Sequence, residues 1–165
     1  MADLFAVADL QILLQVVLAI ILGAAIGIER ELNERPAGLR THILVTMGSA
    51  LYAIVSINSS DPLAAPRIAA GIVTGIGFLG AGSIIHNQDG VRGLTTAADI
   101  WVSAAIGLAV GINAVFLAIV STVLVIMVLV LGRKIDKTIQ LARAEIKGKF
   151  PLAEELQPKN PRDFE

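Results

Sequence analysis

The chain has no cysteine among its 165 residues, which excludes disulfides, thiolate metal sites and cysteine nucleophiles together. Charge is also scarce: Asp, Glu, Lys and Arg make up 16% of the sequence, while 55% is hydrophobic. With a mean hydropathy of +0.76, the composition is that of a membrane protein and not of an ordinary soluble domain. Neither sign of charge dominates, since the net charge is -1, and nothing points to nucleic acid as a partner. Only two histidines occur, and His42 has no second histidine or cysteine beside it, so no zinc site is expected. No Walker loop, catalytic triad or paired-carboxylate constellation is present, and the expectation is a non-enzyme without a cofactor. The opening MADLFAVADL lacks a basic n-region, so the first apolar segment reads as a retained helix and not as a cleaved signal peptide.

What the sequence does contain is five long apolar segments, roughly Leu10 to Ile28, Thr41 to Ile57, Ile68 to Ile85, Leu94 to Ile112 and Ala114 to Gly132. Each suffices to cross a hydrocarbon core of about 30 Å. The last two must be separate helices, because one helix from Leu94 to Leu131 would be roughly 55 Å long. A tight turn at Gly111, Ile112 and Asn113 divides them. The other breaks carry ordinary turn chemistry: ERELNERPAGLR, NSSDPLAAPR with Asp61 as cap and Pro62 in the first turn, and HNQDGVRG.

These segments predict an all-α integral membrane domain over residues 1–132, a bundle of five transmembrane helices, followed by a tail over 133–165. An odd number of spans puts the termini on opposite sides, and every basic residue except Arg67 then falls on the side of the tail. By the positive-inside rule the N-terminus lies outside and the tail is cytoplasmic, giving a multi-pass protein of the bacterial inner membrane. In RKIDKTIQLARAEIKGK, apolar Ile135, Ile139, Leu141 and Ile146 sit among charges, which predicts a short amphipathic continuation of the fifth helix. The final PLAEELQPKNPRDFE is polar and proline-rich and is expected to be disordered.

The stretch GIGFLGAG places Gly75, Gly77 and Gly80 in the GxGxxG spacing of dinucleotide-binding loops, with Asp99 about 20 positions on. That chemistry needs a strand before the first glycine and a helix opening at the third, so that free N–H groups hold the pyrophosphate. Here an apolar helical segment precedes the motif and HNQDG breaks the chain soon after it, so no nucleotide is expected. At about 100° per residue, Ala70, Gly71, Thr74, Gly75, Gly77, Ala81 and Gly82 share one arc, interrupted by Phe78 and Ile85. Small residues let membrane helices approach closely. Gly71, Gly75, Gly77, Gly80 and Gly82 are therefore expected to pack against another helix, in the bundle or across a homo-oligomer interface.

Two groups of polar residues are candidates for function. Asp99 is the one acidic residue well inside an apolar run, and Thr96, Asp99, Ser103 and Gly107 form a polar stripe at helical spacing. An intramembrane carboxylate is costly and needs a partner. Either it pairs with Arg92 or with an arginine of the first loop, or it handles ions or protons. Glu29, Arg30, Glu31, Arg35, Arg40, His42 and Arg92 form the second group. They read as topogenic anchors or as a charged surface for a membrane-protein partner. One carboxylate is a poor basis for a Mg²⁺ site, so no metal site is assigned.

The stretches ERELNERPAGLRTHILVTMGSAL, DPLAAPRIAAGIVTGIGFLGAGSII and VRGLTTAADIWVSAAIGLAVG, in this order, resemble the MgtC/SapB family of bacterial inner-membrane proteins. The resemblance covers Leu10 to Gly132. It rests on Glu29, Arg30, Glu31, Arg35, Gly38, Leu39, Arg40, Thr41 and His42 in the first motif. Asp61, Pro62, Arg67, Gly75, Gly77, Phe78, Gly80, Ala81 and Gly82 carry it in the second, and Arg92, Gly93, Thr95, Thr96 and Trp101 in the third. It implies a five-helix membrane domain and a role linked to Mg²⁺ and, in the family, to virulence. A regulator acting on membrane partners such as the F-type ATP synthase is the leading implication, and a small ion or proton transporter through helices 3 and 4 is the alternative. Family members with a soluble ACT-like C-terminal domain differ from this chain, whose tail is too short for one. Asp99 is not among the matching positions, so its role rests on its own chemistry.

Overall fold

The computed structural model describes residues 2–87 and 90–149. Its elements are α1 (Ala2–Leu32), α2 (Leu39–Ile57), α3 (Ala64–Gly82), β1 (Ile85–Asn87), β2 (Gly90–Arg92), α4 (Leu94–Gly111) and α5 (Val115–Lys149). All five helices are long and apolar enough to cross a membrane. The chain is thus an all-α membrane bundle, and its exposed apolar surface meets the lipid bilayer. Two compact units divide it, residues 1–126 and 127–165. The second unit, as far as it is described, is the end of α5, which continues as helix to Lys149. The stretch expected to be disordered, Pro151 to Glu165, lies outside the described residues.

Within the first unit α2 and α4 are central, each packed on the other and on α1 and α3, and 56% of the α4 span is buried. The interior of this unit is built from small or branched residues, including Ala19, Ile26, Ala50, Ala53, Ile106 and Val110. Larger side chains such as Leu13, Ile21, Leu44, Val55, Trp101 and Phe116 point outward. That inversion follows from the solvent. Lipid tails are as apolar as leucine, so membrane helices gain more by bringing small surfaces and polar groups together.

The close approaches are made by glycines, but not by the expected ones. A Cβ on Gly23 of α1 would lie 2.7 Å from His42 O and 2.8 Å from Thr46 Oγ1, and one on Gly27 would lie 2.7 Å from Leu39 Cα. Gly107 of α4 would collide with Thr46 O, and Gly111 with Ala53 Cβ. Two glycine pairs at i, i+4 therefore clamp α2 between α1 and α4. By contrast, a Cβ at Gly71, Gly75, Gly77 or Gly82 would meet nothing within 4 Å, and Gly80 only reaches ordinary contact with Ala97. The small-residue face of α3 does not pack inside the chain. Its spacing shows that something can come close, not that this chain's own helices do.

The helix ends explain the turns. After α1, the Arg35 N–H bonds to Arg30 O at 3.1 Å and the Glu34 N–H to Glu31 O at 3.0 Å, with Glu34 at φ 54. After α4, the Ala114 N–H bonds to Ala109 O at 2.8 Å and the Asn113 N–H to Val110 O at 3.0 Å, with Asn113 at φ 65. Both are Schellman motifs, which reverse the chain by one left-handed residue. The expected turn at Gly111, Ile112 and Asn113 is this second motif. At the start of α3 the Leu63 N–H bonds to Asp61 Oδ1 at 2.9 Å, and helix begins at Ala64, earlier than the sequence pattern predicts. The loop HNQDGVRG instead contains an antiparallel hairpin pairing Ile85 with Arg92 and Asn87 with Gly90. Gly93, at φ 89, then turns the chain into α4 and lies so close to Ser83 O that no side chain fits.

Candidate functional site

Three helices bring Arg30, His42 and Asp99 together. Arg30 lies in the last turn of α1, His42 in the first turns of α2 and Asp99 in the second turn of α4. The residues are 4%, 0% and 3% exposed. Asp99 Oδ2 is shared by two partners, with Arg30 Nε at 2.9 Å and His42 Nε2 at 3.0 Å. The Nε–H of Arg30 is not aimed along a hydrogen-bond direction, so that contact is ionic. The guanidinium is oriented instead by Nη2, which donates to Thr96 Oγ1 at 2.8 Å. A buried ion pair is tolerable only with such additional bonds, because desolvation of both charges offsets their attraction.

The histidine adds a constraint on the proton inventory. Its Nδ1 lies 2.9 Å from Gly38 O, and a carbonyl can only accept, so Nδ1 carries a hydrogen. At Nε2, a neutral ring beside an ionised carboxylate would set two lone pairs face to face. Either the ring carries a second hydrogen and donates to Oδ2, or Asp99 carries it and donates to Nε2. In both cases the cluster holds one proton more than a neutral histidine and an ionised aspartate would supply.

Around the cluster the remaining polar groups line the helix contacts. Thr46 on α2 donates to His42 O at 2.8 Å, and Gln15 on α1 donates to Val110 O and Gly111 O at 3.1 and 3.3 Å. The bond to Gly111 O satisfies a carbonyl that the end of α4 leaves open, while Val110 O also accepts the Asn113 N–H. Two buried atoms on adjacent turns of α4, Asp99 Oδ1 and Ser103 Oγ, have no hydrogen-bond partner. Thr96 also borders a cavity of about 370 Å³ with Ala37, Thr41, Gly82, Ser83 and Ile100, between the starts of α2 and α4 and the end of α3. Among the described residues, no group of three or more His, Asp or Glu could hold a metal ion.

The expected groups thus divide differently. Thr96, Asp99 and Ser103 do lie on one buried face of α4, and of the two partners expected for Asp99, Arg92 or an arginine around the first loop, the structure pairs it with the second, Arg30, which ends α1. Arg30 and His42 are not part of a surface, as their place in a charged stretch suggests, but belong to the core. Glu31 acts within the chain: its Oε2 accepts the Leu39 N–H at 3.0 Å and caps α2, whose own N-cap, Gly38, has no side chain. Glu29 Oε1 accepts from Asn33 at 3.0 Å. Arg35, Arg40 and Arg92 are exposed.

The model of the MgtC family matches residues 16–138, a range that holds the whole cluster. The chain belongs to the MgtC family. MgtC of Salmonella choleraesuis is 41% identical over 136 residues, covering 82% of this chain and 58% of the relative. MgtC of Brucella abortus (strain 2308) is 43% identical over 132 residues, covering 80% and 55%. YhiD of Escherichia coli (strain K12), whose name proposes a magnesium transporter, is 46% identical over 127 residues, covering 72% and 59%. This family member therefore spans under two thirds of the length of these relatives. No solved structure gives a significant match.

Proposed function

We propose that this MgtC-family protein is a non-enzymatic regulator of other proteins in the bacterial inner membrane, linked to Mg²⁺ or envelope homeostasis. The observation that carries the reading is the closed state of Asp99, the one buried acidic residue among those described. Asp99 is held between Arg30 and His42, so the charge that an ion path would offer to a cation is already neutralised. Residues bordering the 370 Å³ cavity come from both the α1–α2 and the α3–α4 connections, so Arg35, Arg40 and Arg92 are presented near one end of the bundle. By the positive-inside rule that end is cytoplasmic, where a transport protein or ATP synthase-type complex would meet it. The name of one relative, YhiD of Escherichia coli (strain K12), supplies the link to magnesium.

Photo-crosslinking from positions 40 and 92 in native membranes tests this, with mass spectrometry of the products. The reading expects one recurring membrane protein at both positions, and recovery of the uncrosslinked chain alone would count against it.

A second reading, a small ion or proton path, draws on Asp99 Oδ1 and Ser103 Oγ, buried and without partners one turn apart. They stand on the face of α4 turned to α1 and α2, so the path would run there and not between α3 and α4. Flux of Mg²⁺ or protons into proteoliposomes, with and without Asp99→Asn, separates the two.

A further inference from the structure

The face of α3 left open inside the chain adjoins a groove of about 580 Å³ between α2 and α3, bordered by Val45, Gly48, Ser49, Gly71, Gly75 and Ile76. We propose that this groove is a homodimer interface, filled by α3 of a second copy related by a two-fold axis. The inference does not depend on the regulatory reading.

Three observations support it. First, only 11% of the α3 span is buried, against 39% for α2 and 56% for α4. α5 is covered as little, but the side chains it exposes include Phe116, Leu117, Val123 and Leu124, a surface made for lipid. α3 exposes glycine, which loses conformational entropy in a helix and gains nothing from lipid tails.

Second, Ser49 borders the groove, is 4% exposed, and has no side-chain hydrogen-bond partner among the described residues. A hydroxyl that opens onto an apolar groove without a partner is costly there. An acyl chain could fill the groove, but it could not accept that hydrogen.

Third, the chain itself carries the acceptor at the right depth. Ser49 and Thr74 each lie one residue past the midpoint of a 19-residue helix. Thr74 spends its hydrogen on Ala70 O at 3.0 Å, which leaves its oxygen free to accept. In a two-fold dimer with its axis along the membrane normal, α3 of the second copy sits at the same depth as this groove. Thr74 then meets Ser49, and Gly71 and Gly75, one turn apart on its flank, admit the approaching backbone.

The absence of native cysteine makes the test direct. Ser49→Cys with Thr74→Cys is oxidised in native membranes beside Leu117→Cys on the lipid-facing side of α5. The proposal expects a disulfide-linked dimer from the Ser49→Cys/Thr74→Cys pair and not from Leu117→Cys, and adding Gly75→Leu should lower its yield about tenfold. Within the chain a Cβ at Gly75 meets nothing within 4 Å, so this variant should fold as the parent does, read by helical circular dichroism. Native mass spectrometry of the unsubstituted chain, released from native membranes, should give a dimer and does not rely on any variant folding. No dimer from the Ser49→Cys/Thr74→Cys pair, an equal dimer from Leu117→Cys, cross-linking to another protein only, or a purely monomeric native mass would each overturn the proposal.

Discussion

Replacing Asp99 by asparagine keeps the shape of the side chain and removes its charge. Arg30, with 5% of its side chain exposed, then loses the carboxylate 2.9 Å from its Nε, and His42 Nε2 loses the same carboxylate at 3.0 Å. Both partners are too buried for solvent to screen the loss. Breaking a buried pair on one side costs about 3–5 kcal/mol, because the remaining charge stays desolvated. Asp99→Asn should therefore destabilise the bundle by about that amount in reversible unfolding in mixed micelles. The double replacement Arg30→Met with Asp99→Leu removes both charges at similar volume and should recover most of the loss. What remains should be about 1–3 kcal/mol for the orphaned histidine nitrogen. If Asp99→Asn cost under about 1 kcal/mol, or if the double variant were worse than the single one, the cluster would not be the closed ion pair described.

The glycine contacts make a paired prediction: Gly107→Ala, which overlaps Thr46 O, should cost about 1–3 kcal/mol. Gly77→Ala, which meets nothing within 4 Å, should be neutral or stabilising by up to about 1 kcal/mol, and the same unfolding assay reads both. Glu34→Gly should raise stability by about 1 kcal/mol, since Glu34 holds φ 54 in a region that costs a side chain roughly 1–2 kcal/mol; no rise in melting temperature would contradict the turn assignment. Gln15→Leu removes both bonds to the end of α4 and should cost about 0.5–1.5 kcal/mol, with faster hydrogen exchange in the turn at 111–114.

The five helices were legible in the sequence because each is a run of apolar residues long enough for the bilayer, broken by turn residues that cannot continue it. The hairpin at Ile85–Arg92 was not, since three-residue strands carry too little alternation to register. Arg30 and His42 read as surface because they stand near a charged loop in sequence, yet the signal for burial is present. On α1, Gly23, Gly27 and Arg30 recur at i, i+4 and i+7, and on α2 His42, Thr46 and Ser49 do the same. Placed beside Thr96, Asp99, Ser103 and Gly107 on α4, three matching stripes of small and polar residues would have named the packed trio. The stripe on α3 has the same composition but faces outward, because spacing gives the face and not its partner.

The distinction between a regulator and a conduit rests on whether Asp99 stays closed. Proteoliposomes containing the purified chain, loaded with Mg²⁺- and proton-sensitive dyes, measure it directly. The account predicts flux of both ions no greater than in empty vesicles, with the bound partner recovered in parallel from native membranes. Flux well above that level, abolished by Asp99→Asn in protein that remains folded, would contradict it.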